Sequence, residues 1–190
     1  MRDMPVEKPL VPVLGRPMID RVLGAVDGAA GVGRVYVSVS PHAPATQLYL
    51  EARGIASIST PGAGYSEDLN LAMSHISSDR VLVCPVDLPL LTSEGIETVI
   101  AASARSGAGS FCVTVPVDLM TSLGMALTYS LEVGGRKVVL CGVSVVDRML
   151  MLTGRELEQD YLVTEAEEFA LNVNTLDDLR RAEAALARRL

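Results

Sequence analysis

The chain has 190 residues and a formal net charge of −7, a size that suits one domain with a sizeable apolar core. The acidic balance argues against binding to nucleic acid, because sequence-independent binding needs a basic surface. No apolar run is long enough to span a bilayer and no signal peptide is recognisable, so we expect a cytoplasmic protein without a membrane partner. Cys84, Cys112 and Cys141 lie in apolar runs without a CxxC pair, which is typical of reduced, buried thiols.

Strand-like and helix-like segments alternate along the chain. Short runs rich in β-branched residues predict strands, and they occur at 34–40, 55–60, 80–87, 110–116, 125–133, 137–146 and 169–174. Apolar residues at helical spacing predict helices at 17–27, 44–52, 66–76, 92–104 and from 175 onward. Ser66, Thr92 and Thr175 have side chains that are typical of helix N-caps.

This alternation predicts an α/β fold, with a Rossmann-like, mainly parallel sheet sandwiched by helices in one domain over residues 1–190. Two consecutive strands around Gly134 and Gly135 interrupt the alternation and predict an antiparallel hairpin insertion near 117–146. In open parallel sheets, ligands bind beyond the carboxyl ends of the strands. Polar residues at those ends are therefore the first candidates for a site.

Asp87 stands at the carboxyl end of the apolar run 80–87. A carboxylate in that position can hold a divalent cation beside phosphate oxygens, or it can cap the turn before the next helix. Asn172 and Asn174 alternate in the predicted strand 169–174 and so share one face. An asparagine oxygen could complete a magnesium shell with Asp87, although local hydrogen bonds to the backbone explain both residues equally well.

Lys8 lies in an apolar, proline-bounded segment and could contact phosphate, although an isolated lysine is usually solvated. The segment 60–70, TPGAGYSEDLN, runs from a strand through Gly62 and Gly64 into a helix amino end, which suits anions. It lacks the third glycine of the dinucleotide fingerprint, and the chain has no P-loop motif.

His42 and His75 have no partners in a hydrolase pattern, although His42 follows a strand end and could line a pocket.

The order of several short motifs resembles the MobA-like nucleotidyltransferase superfamily, which includes molybdenum-cofactor guanylyltransferase and the sugar-1-phosphate nucleotidyltransferases. The motifs are EKPL, LGRPMIDRV, VSPHAPAT, PGAGYSEDLN, VCPVDLPLLT, CGVSVV and LNVNTLDDLRRAE. Within the superfamily the chain most resembles the archaeal-type GTP:adenosylcobinamide-phosphate guanylyltransferases. That resemblance implies transfer of GMP from GTP to adenosylcobinamide phosphate in cobalamin biosynthesis, with release of pyrophosphate. The alternatives are molybdopterin or a sugar 1-phosphate as acceptor, or a truncated, non-catalytic nucleotide-binding relative.

The same resemblance implies roles for individual residues. Lys8 corresponds to the lysine at the nucleotide phosphates, Asp87 to the acidic Mg²⁺ ligand, and Asn174, with its neighbour Asn172, to the second metal position. The nucleotide-binding residues that it implies are Ser40, Pro41, Gly62, Gly64, Tyr65 and Asp68, with Asp68 at the ribose or guanine, and Gly142 leaves room for the acceptor phosphate. The expected partners are GTP and a phosphate-bearing small molecule, and a homodimer is possible. Because the attacking phosphate is already an anion, catalysis would come from positioning and charge neutralisation.

Members of this superfamily begin with a strand and a glycine-rich loop, roughly A-G-G-x-G-T-R, just upstream of the E-K-P motif. Both features are missing upstream of Glu7 in this sequence. In the family that strand is central in the sheet, and the loop donates backbone amides to the triphosphate. We expect in-frame codons for the loop just upstream of the start, and a stop codon there would contradict this expectation. The alternative is an inactive, truncated relative.

Overall fold

The computed structural model describes residues 6–127 and 129–189; Thr128, which falls in the predicted strand 125–133, lies outside them. After a 3-10 turn at Lys8–Leu10, the strands are β1 (Pro12–Val13), β2 (Arg16–Pro17), β3 (Val37–Val39), β4 (Ser57–Ser59), β5 (Arg80–Val83), β6 (Ser110–Pro116), β7 (Ser130–Val133), β8 (Arg136–Asp147) and β9 (Gln159–Val163). The helices are α1 (Met18–Asp27), α2 (Pro44–Ala52), α3 (Tyr65–Ser74), α4 (Ser93–Ser103), α5 (Val117–Ser122), α6 (Arg148–Leu152), α7 (Glu167–Ala170) and α8 (Leu176–Ala187).

The larger sheet has the strand order β5-β8-β6-β9, with β7 paired to β8. β6 and β9 are parallel, whereas β8 is antiparallel to β5, β6 and β7. Four strands of this sheet therefore run in one direction and β8 runs against them. β3 and β4 form a separate parallel pair. The predicted α/β fold is confirmed. The hairpin expected near 117–146 is β7–β8, and its second strand, β8, extends to Asp147 and also pairs with β5 and β6.

A slot separates the β3–β4 pair from the larger sheet. In the described part of the chain, β3 pairs only with β4 and β5 pairs only with β8, so each strand presents a second edge. Between these edges lies a cavity of about 730 Å³, which we call the β3–β5 slot. Apolar residues of both edges and of the covering helices α1 and α4 line it, including Val35, Val37, Leu82, Val22, Val26 and Ile100. The lining of the slot is mostly apolar, as the surroundings of a buried strand are.

Local capping explains where several helices begin. Thr92 Oγ1 accepts a hydrogen bond from Gly95 N at 3.0 Å, which confirms the predicted start of α4. At α8 the Thr175 hydroxyl accepts from Asp178 N, and the Asp178 carboxylate accepts from Thr175 N. The predicted N-cap at Ser66 is wrong, because the positive φ of Gly64 turns the chain early and α3 already begins at Tyr65. Among the described helices, none is long and apolar enough to cross a membrane.

The predicted strand at 169–174 is also wrong. Glu167–Ala170 is the short helix α7, and the residues after it form no strand pairing; Val173 N donates to Asp87 O at 2.8 Å. In a half-buried strand, buried and exposed side chains would alternate. Here several neighbouring side chains are buried instead, namely Phe169, Ala170, Leu171 and Val173. Sequence reasoning also missed β9, α5 and α6, and it placed β3, β4 and β5 in longer runs than the structure has.

Candidate functional site

Lys8, Asp87 and Asn174 meet at one point of the fold. Lys8 Nζ donates to Asp87 Oδ2 at 2.7 Å and to Asn174 Oδ1 at 2.7 Å. The side chains of Lys8 and Asp87 are 33% and 20% exposed, so the cluster is open on one side to a ligand. We call these three residues the Lys8 cluster. The structure thus brings together three residues that lie 79 and 166 positions apart in the sequence.

Hydrogen bonds of the main chain hold Asp87 and Asn174, the two residues that accept from Lys8, in place. Asp87 lies in the turn that follows β5, and its carbonyl accepts from Val173 N at 2.8 Å. This bond holds the segment before α8 against the turn. Asn174 N in turn donates to Asp178 Oδ2 at 3.1 Å. The capping box of α8 therefore positions Asn174 as well as starting the helix.

Glu7 anchors the segment that carries Lys8, and sequence reasoning gave it no role. Its carboxylate accepts from Ala45 N at 2.8 Å, from Thr46 N at 2.7 Å and from the Thr46 hydroxyl at 2.6 Å, all at the start of α2. Burial acts to raise the pKa of Glu7, but the hydrogen bonds from the Thr46 hydroxyl and the two backbone amides outweigh it and lower the pKa. One feature of the sequence could have indicated this role, because Glu7 directly precedes Lys8 in the E-K-P motif.

The donor set fits a magnesium ion that arrives with a phosphate ligand. Asp87 and Asn174 offer a carboxylate and an amide oxygen, which are hard donors, and a cationic ammonium already lies between them. Mg²⁺ usually takes one or two carboxylates and completes its shell with substrate phosphates and water. Among the described residues, no group of three His, Cys, Asp or Glu side chains could hold a metal. Mg²⁺ binding at Asp87 and Asn174 stays a prediction.

Asn172 lies beside the cluster. It lines the same cavity as Asn174, as expected for residues two apart on either side of the buried Val173. Its backbone amide donates to Ala170 O at 3.1 Å. The predicted metal role of Asn172 stays a prediction.

The predicted nucleotide loops pack against each other. Gly62 has a φ of +73°, and a Cβ there would lie 2.9 Å from His42 Cδ2 and 3.2 Å from Ser40 Cβ. Only glycine therefore lets the loop after β3, with Ser40, Pro41 and His42, approach the loop after β4 so closely. This contact supports the expectation that the two loops form one surface, and His42 belongs to it.

Asp68 holds the glycine loop in shape. Its Oδ1 atom accepts from Gly62 N at 3.0 Å and from Ala63 N at 3.3 Å. This oxygen is therefore engaged within the loop, although the sequence suggested ribose or guanine as its partner. Gly64 is the N-cap of α3 and Tyr65, its first residue, is 71% exposed. Direct contact of Gly64, Tyr65 or Asp68 with a nucleotide stays a prediction.

Gly142 lies at an irregularity of β8, where the register with β6 shifts. Its φ is +89°, and a Cβ there would lie 3.2 Å from Pro85 Cγ. The absence of a side chain thus lets β8 pack against the turn that carries Asp87. The predicted contact of Gly142 with an acceptor phosphate stays a prediction.

A second cavity of about 490 Å³ opens beside the cluster. It lies between β8, α5, α7 and the start of α8, and we call it the α8 cavity. Asn174 and Cys141 line it, and Cys141 is close enough to Asp87 to sense its charge. Burial raises the pKa of Cys84 and of Cys141 to about 12. Both thiols are thus protonated and are not nucleophiles.

Comparison with known proteins identifies the family of the chain. The family described as "MobA-like NTP transferase domain" matches residues 1–123. The adenosylcobinamide-phosphate guanylyltransferase of Methanocaldococcus jannaschii is 28% identical over 95% of this chain and 89% of its own length. The phosphoenolpyruvate guanylyltransferase of Sphaerobacter thermophilus is 31% identical over 47% of this chain and 44% of its own length.

The fold has solved counterparts. The structure of CMP:2-keto-3-deoxy-manno-octonic acid synthetase complexed with CTP has a TM-score of 0.76 and 16% identity, covering 96% of this chain and 92% of the other. At that identity the likeness concerns the fold alone. The family match, in contrast, extends over well more than half of the sequence and includes Lys8 and Asp87. The chain is therefore a nucleotidyltransferase that belongs to the MobA-like NTP transferase domain family.

Proposed function

We propose that the chain is a guanylyltransferase that moves GMP from GTP to adenosylcobinamide phosphate and releases pyrophosphate. The observation that carries this proposal is the Lys8 cluster, in which one ammonium bridges Asp87, in the turn after β5, and Asn174, just before α8. The likeness to the M. jannaschii enzyme over 95% of the chain supports the choice of nucleotide and acceptor.

The proposed chemistry needs charge neutralisation and no general base. An anionic oxygen of the acceptor phosphate attacks the α-phosphorus of GTP, and the bond from that phosphorus to the oxygen bridging to the β-phosphate breaks. The electron pair leaves with pyrophosphate, and no proton has to move. Lys8 donates to phosphate oxygens as negative charge shifts toward the leaving group. Asp87 and Asn174 would hold Mg²⁺, which, when bound, adds positive charge at the same phosphates.

The loops after β3 and β4 would hold the guanosine. Ser40 faces the glycine loop across the contact at Gly62, and Pro41 follows it in the chain. Gly64 and Tyr65 lead from Gly62 to the amino end of α3. Exposed backbone amides at a helix start favour anions. His42, in the same contact, adds a ring that can stack on or hydrogen-bond to a base.

The β3–β5 slot supports a further part of the proposal. A strand placed there could pair with the second edges of both β3 and β5, and α1 would cover it as a crossover helix does in a βαβ unit. We propose that the slot takes the strand that family members have ahead of the E-K-P motif, and that the following glycine loop completes the triphosphate site. Sequencing upstream of the first codon, and expressing any in-frame extension, tests this point.

The function itself is tested by pyrophosphate release. The chain is incubated with Mg²⁺, one nucleoside triphosphate (GTP, CTP or UTP) and one acceptor (adenosylcobinamide phosphate, molybdopterin or a sugar 1-phosphate). We expect release with GTP and adenosylcobinamide phosphate, and a GMP-linked product in the mass spectrum. If pyrophosphate is released only with another nucleotide or another acceptor, the proposed substrates are wrong, although the reaction is still a nucleotidyl transfer.

A matched pair of variants ties the activity to the cluster. Asp87→Asn keeps the shape of the side chain and removes its charge, so the rate should fall at least about 100-fold if the carboxylate holds Mg²⁺ at the transition state. Asp27→Asn makes the same change at an exposed position on α1 and should leave the rate unchanged. Equal rates for Asp87→Asn and the unmodified chain would contradict the proposal.

A further inference from the structure

Helix α2 begins without an N-cap side chain of its own. Its N-cap residue is Ala43, whose methyl group cannot accept a hydrogen bond. The first amides of a helix have no acceptor within the helix and need one from outside. Pro44 has no amide hydrogen, and Gln47 N already donates to Ala43 O at 3.1 Å. The amides of Ala45 and Thr46 are therefore the two that need an outside acceptor.

Glu7 supplies this acceptor from a distant part of the chain. One carboxylate oxygen accepts from Ala45 N and the other from Thr46 N, 38 and 39 positions along the sequence. The second oxygen also accepts from the Thr46 hydroxyl, and Thr46 is buried. A carboxylate is a favoured partner at this end of a helix, because the helix dipole places partial positive charge there. Glu7 thus caps α2 in place of a local residue.

This cap joins two parts of the candidate site. α2 follows directly after the loop at 40–42, which packs against the glycine loop at Gly62. Lys8 follows directly after Glu7, whose carbonyl accepts from Leu10 N at 2.9 Å and closes the 3-10 turn. Leu10 in turn packs on the apolar cluster between α1, β3 and α2. The main chain is therefore held on both sides of Lys8, and on one side the contact is the cap of α2.

We propose that Glu7 is a positioning residue, which fixes the Lys8 ammonium relative to the loop at 40–42 by capping α2. This inference rests on the proposed function, which assigns that loop to guanosine and Lys8 to the phosphates. The Glu7 carboxylate is engaged by α2 and acts on the reaction only through Lys8. A displacement of a reacting group by about 1 Å can cost about 100-fold in rate. Because negative charge moves toward the leaving group only in the transition state, the loss should fall mainly on kcat.

A second substitution separates positioning from capping. Glu7→Ala removes the cap of α2 and the link to Lys8 together. Ala43→Ser adds a hydroxyl at the N-cap position, where serine accepts from the amides of the first turn. In the double variant Glu7→Ala/Ala43→Ser, α2 is capped again but is no longer joined to Lys8. Ala43→Ser alone is the matched control.

Thermal unfolding and pyrophosphate release are measured for these variants and the unmodified chain. We expect Glu7→Ala to lower the melting temperature by about 1–8 °C. It should lower kcat by at least about tenfold, with a smaller change in the KM for GTP. The double variant should regain most of the melting temperature and none of the rate. Ala43→Ser should have the rate of the unmodified chain.

Lysine labelling gives a second readout that needs no turnover. The sequence has only two lysines, Lys8 and Lys137, and Lys137 is exposed on β8, so it is an internal control. Both are acylated in the folded chain and followed by peptide mass spectrometry. We expect Lys8 to react at least about threefold more slowly than Lys137, because its ammonium donates to two acceptors. Glu7→Ala and the double variant should speed the labelling of Lys8 by about the same factor and leave Lys137 unchanged.

The outcomes separate this inference from the proposed function. Recovery of both the rate and the slow labelling of Lys8 in Glu7→Ala/Ala43→Ser would overturn the inference, because capping alone would then explain the effect of Glu7. Unchanged labelling of Lys8 in Glu7→Ala would overturn it as well, whatever the rate of pyrophosphate release. If the unmodified chain releases no pyrophosphate, the proposed function is contradicted, and the labelling still decides the role of Glu7.

Discussion

Replacing Lys8 by methionine tests whether the cluster serves the ligand or the fold. The change keeps most of the side-chain length and removes the ammonium that bridges Asp87 and Asn174 at 2.7 Å each. A hydrogen bond to a charged group is worth about 1.5–3 kcal/mol, and about 1.4 kcal/mol corresponds to a factor of ten. If Lys8 contacts phosphate oxygens, we therefore expect a loss of about 10- to 150-fold in the rate of pyrophosphate release per enzyme.

The same variant should barely affect the fold. Lys8 is 33% exposed, and ion pairs that reach solvent contribute about 0–1 kcal/mol to stability. A chain of this size changes its melting temperature by about 2–4 °C per kcal/mol. We therefore expect a melting temperature within about 4 °C of that of the unmodified chain.

The assay compares Lys8→Met with Lys137→Met, which replaces the other lysine of the sequence at an exposed position on β8. Thermal unfolding by circular dichroism and pyrophosphate release are measured for both. A large loss of stability with an unchanged rate would refute the reasoning, because it would make Lys8 a structural residue. Equal rates for the two variants would refute it as well.

Three further predictions concern the surroundings of the cluster. Asp178→Ala removes the carboxylate that caps α8 and holds Asn174, and should lower the free energy of unfolding in urea by about 1–2 kcal/mol. Because hydrogen bonds lower the pKa of Glu7 below its ordinary value of 4.5, its stabilising contribution should be complete above that value and disappear as the pH falls through the lower folded pKa. Glu7→Gln should therefore reduce the loss of stability between about pH 6 and about pH 3. Cys84 and Cys141, whose pKa burial raises to about 12, should react with iodoacetamide at least about tenfold more slowly than in urea.

Each of these predictions has a result that contradicts it. Unchanged urea unfolding of Asp178→Ala would mean that the capping box contributes nothing. A slope of stability against pH that is the same in Glu7→Gln and the unmodified chain would contradict the hydrogen-bonded carboxylate at the start of α2. Equal alkylation rates in the folded and unfolded chain, followed by peptide mass spectrometry, would contradict burial of the two thiols.

Elements with strong local chemistry could be predicted from the sequence. β6 occupies the predicted residues 110–116, where the aromatic Phe111 and the β-branched residues 113–115 favour a strand. The starts of α4 and α8 depend on hydrogen bonds within three residues of Thr92 and Thr175. Such short-range bonds can be inferred from spacing alone.

Elements that depend on distant partners could not be predicted. β9 pairs in parallel with β6, about fifty residues earlier, and its own sequence has little apolar alternation. The segment before α8 contains apolar residues and two asparagines, which suggested a strand, but it packs against the turn at Asp87 and makes one backbone bond there. Tertiary burial overrode the local pattern in this segment.

The sequence predicted which residues meet in the site better than it predicted the contacts between them. Sequence reasoning expected Asp87 and Asn174 to meet at an ion, and the structure brings both to Lys8. The support behind them, from Glu7 to α2 and from Asp178 to Asn174, depends on side chains that face each other only after folding. Spacing along the chain carries no information about such contacts.

A crystal structure with Mn²⁺ and a non-hydrolysable GTP analogue tests the central claim most directly, because the anomalous signal locates the ion. We predict Mn²⁺ at about 2.1–2.2 Å from oxygens of both Asp87 and Asn174, with Lys8 Nζ in contact with the triphosphate. An ion or a nucleotide bound elsewhere on the chain, with the Lys8 cluster unchanged, would contradict it.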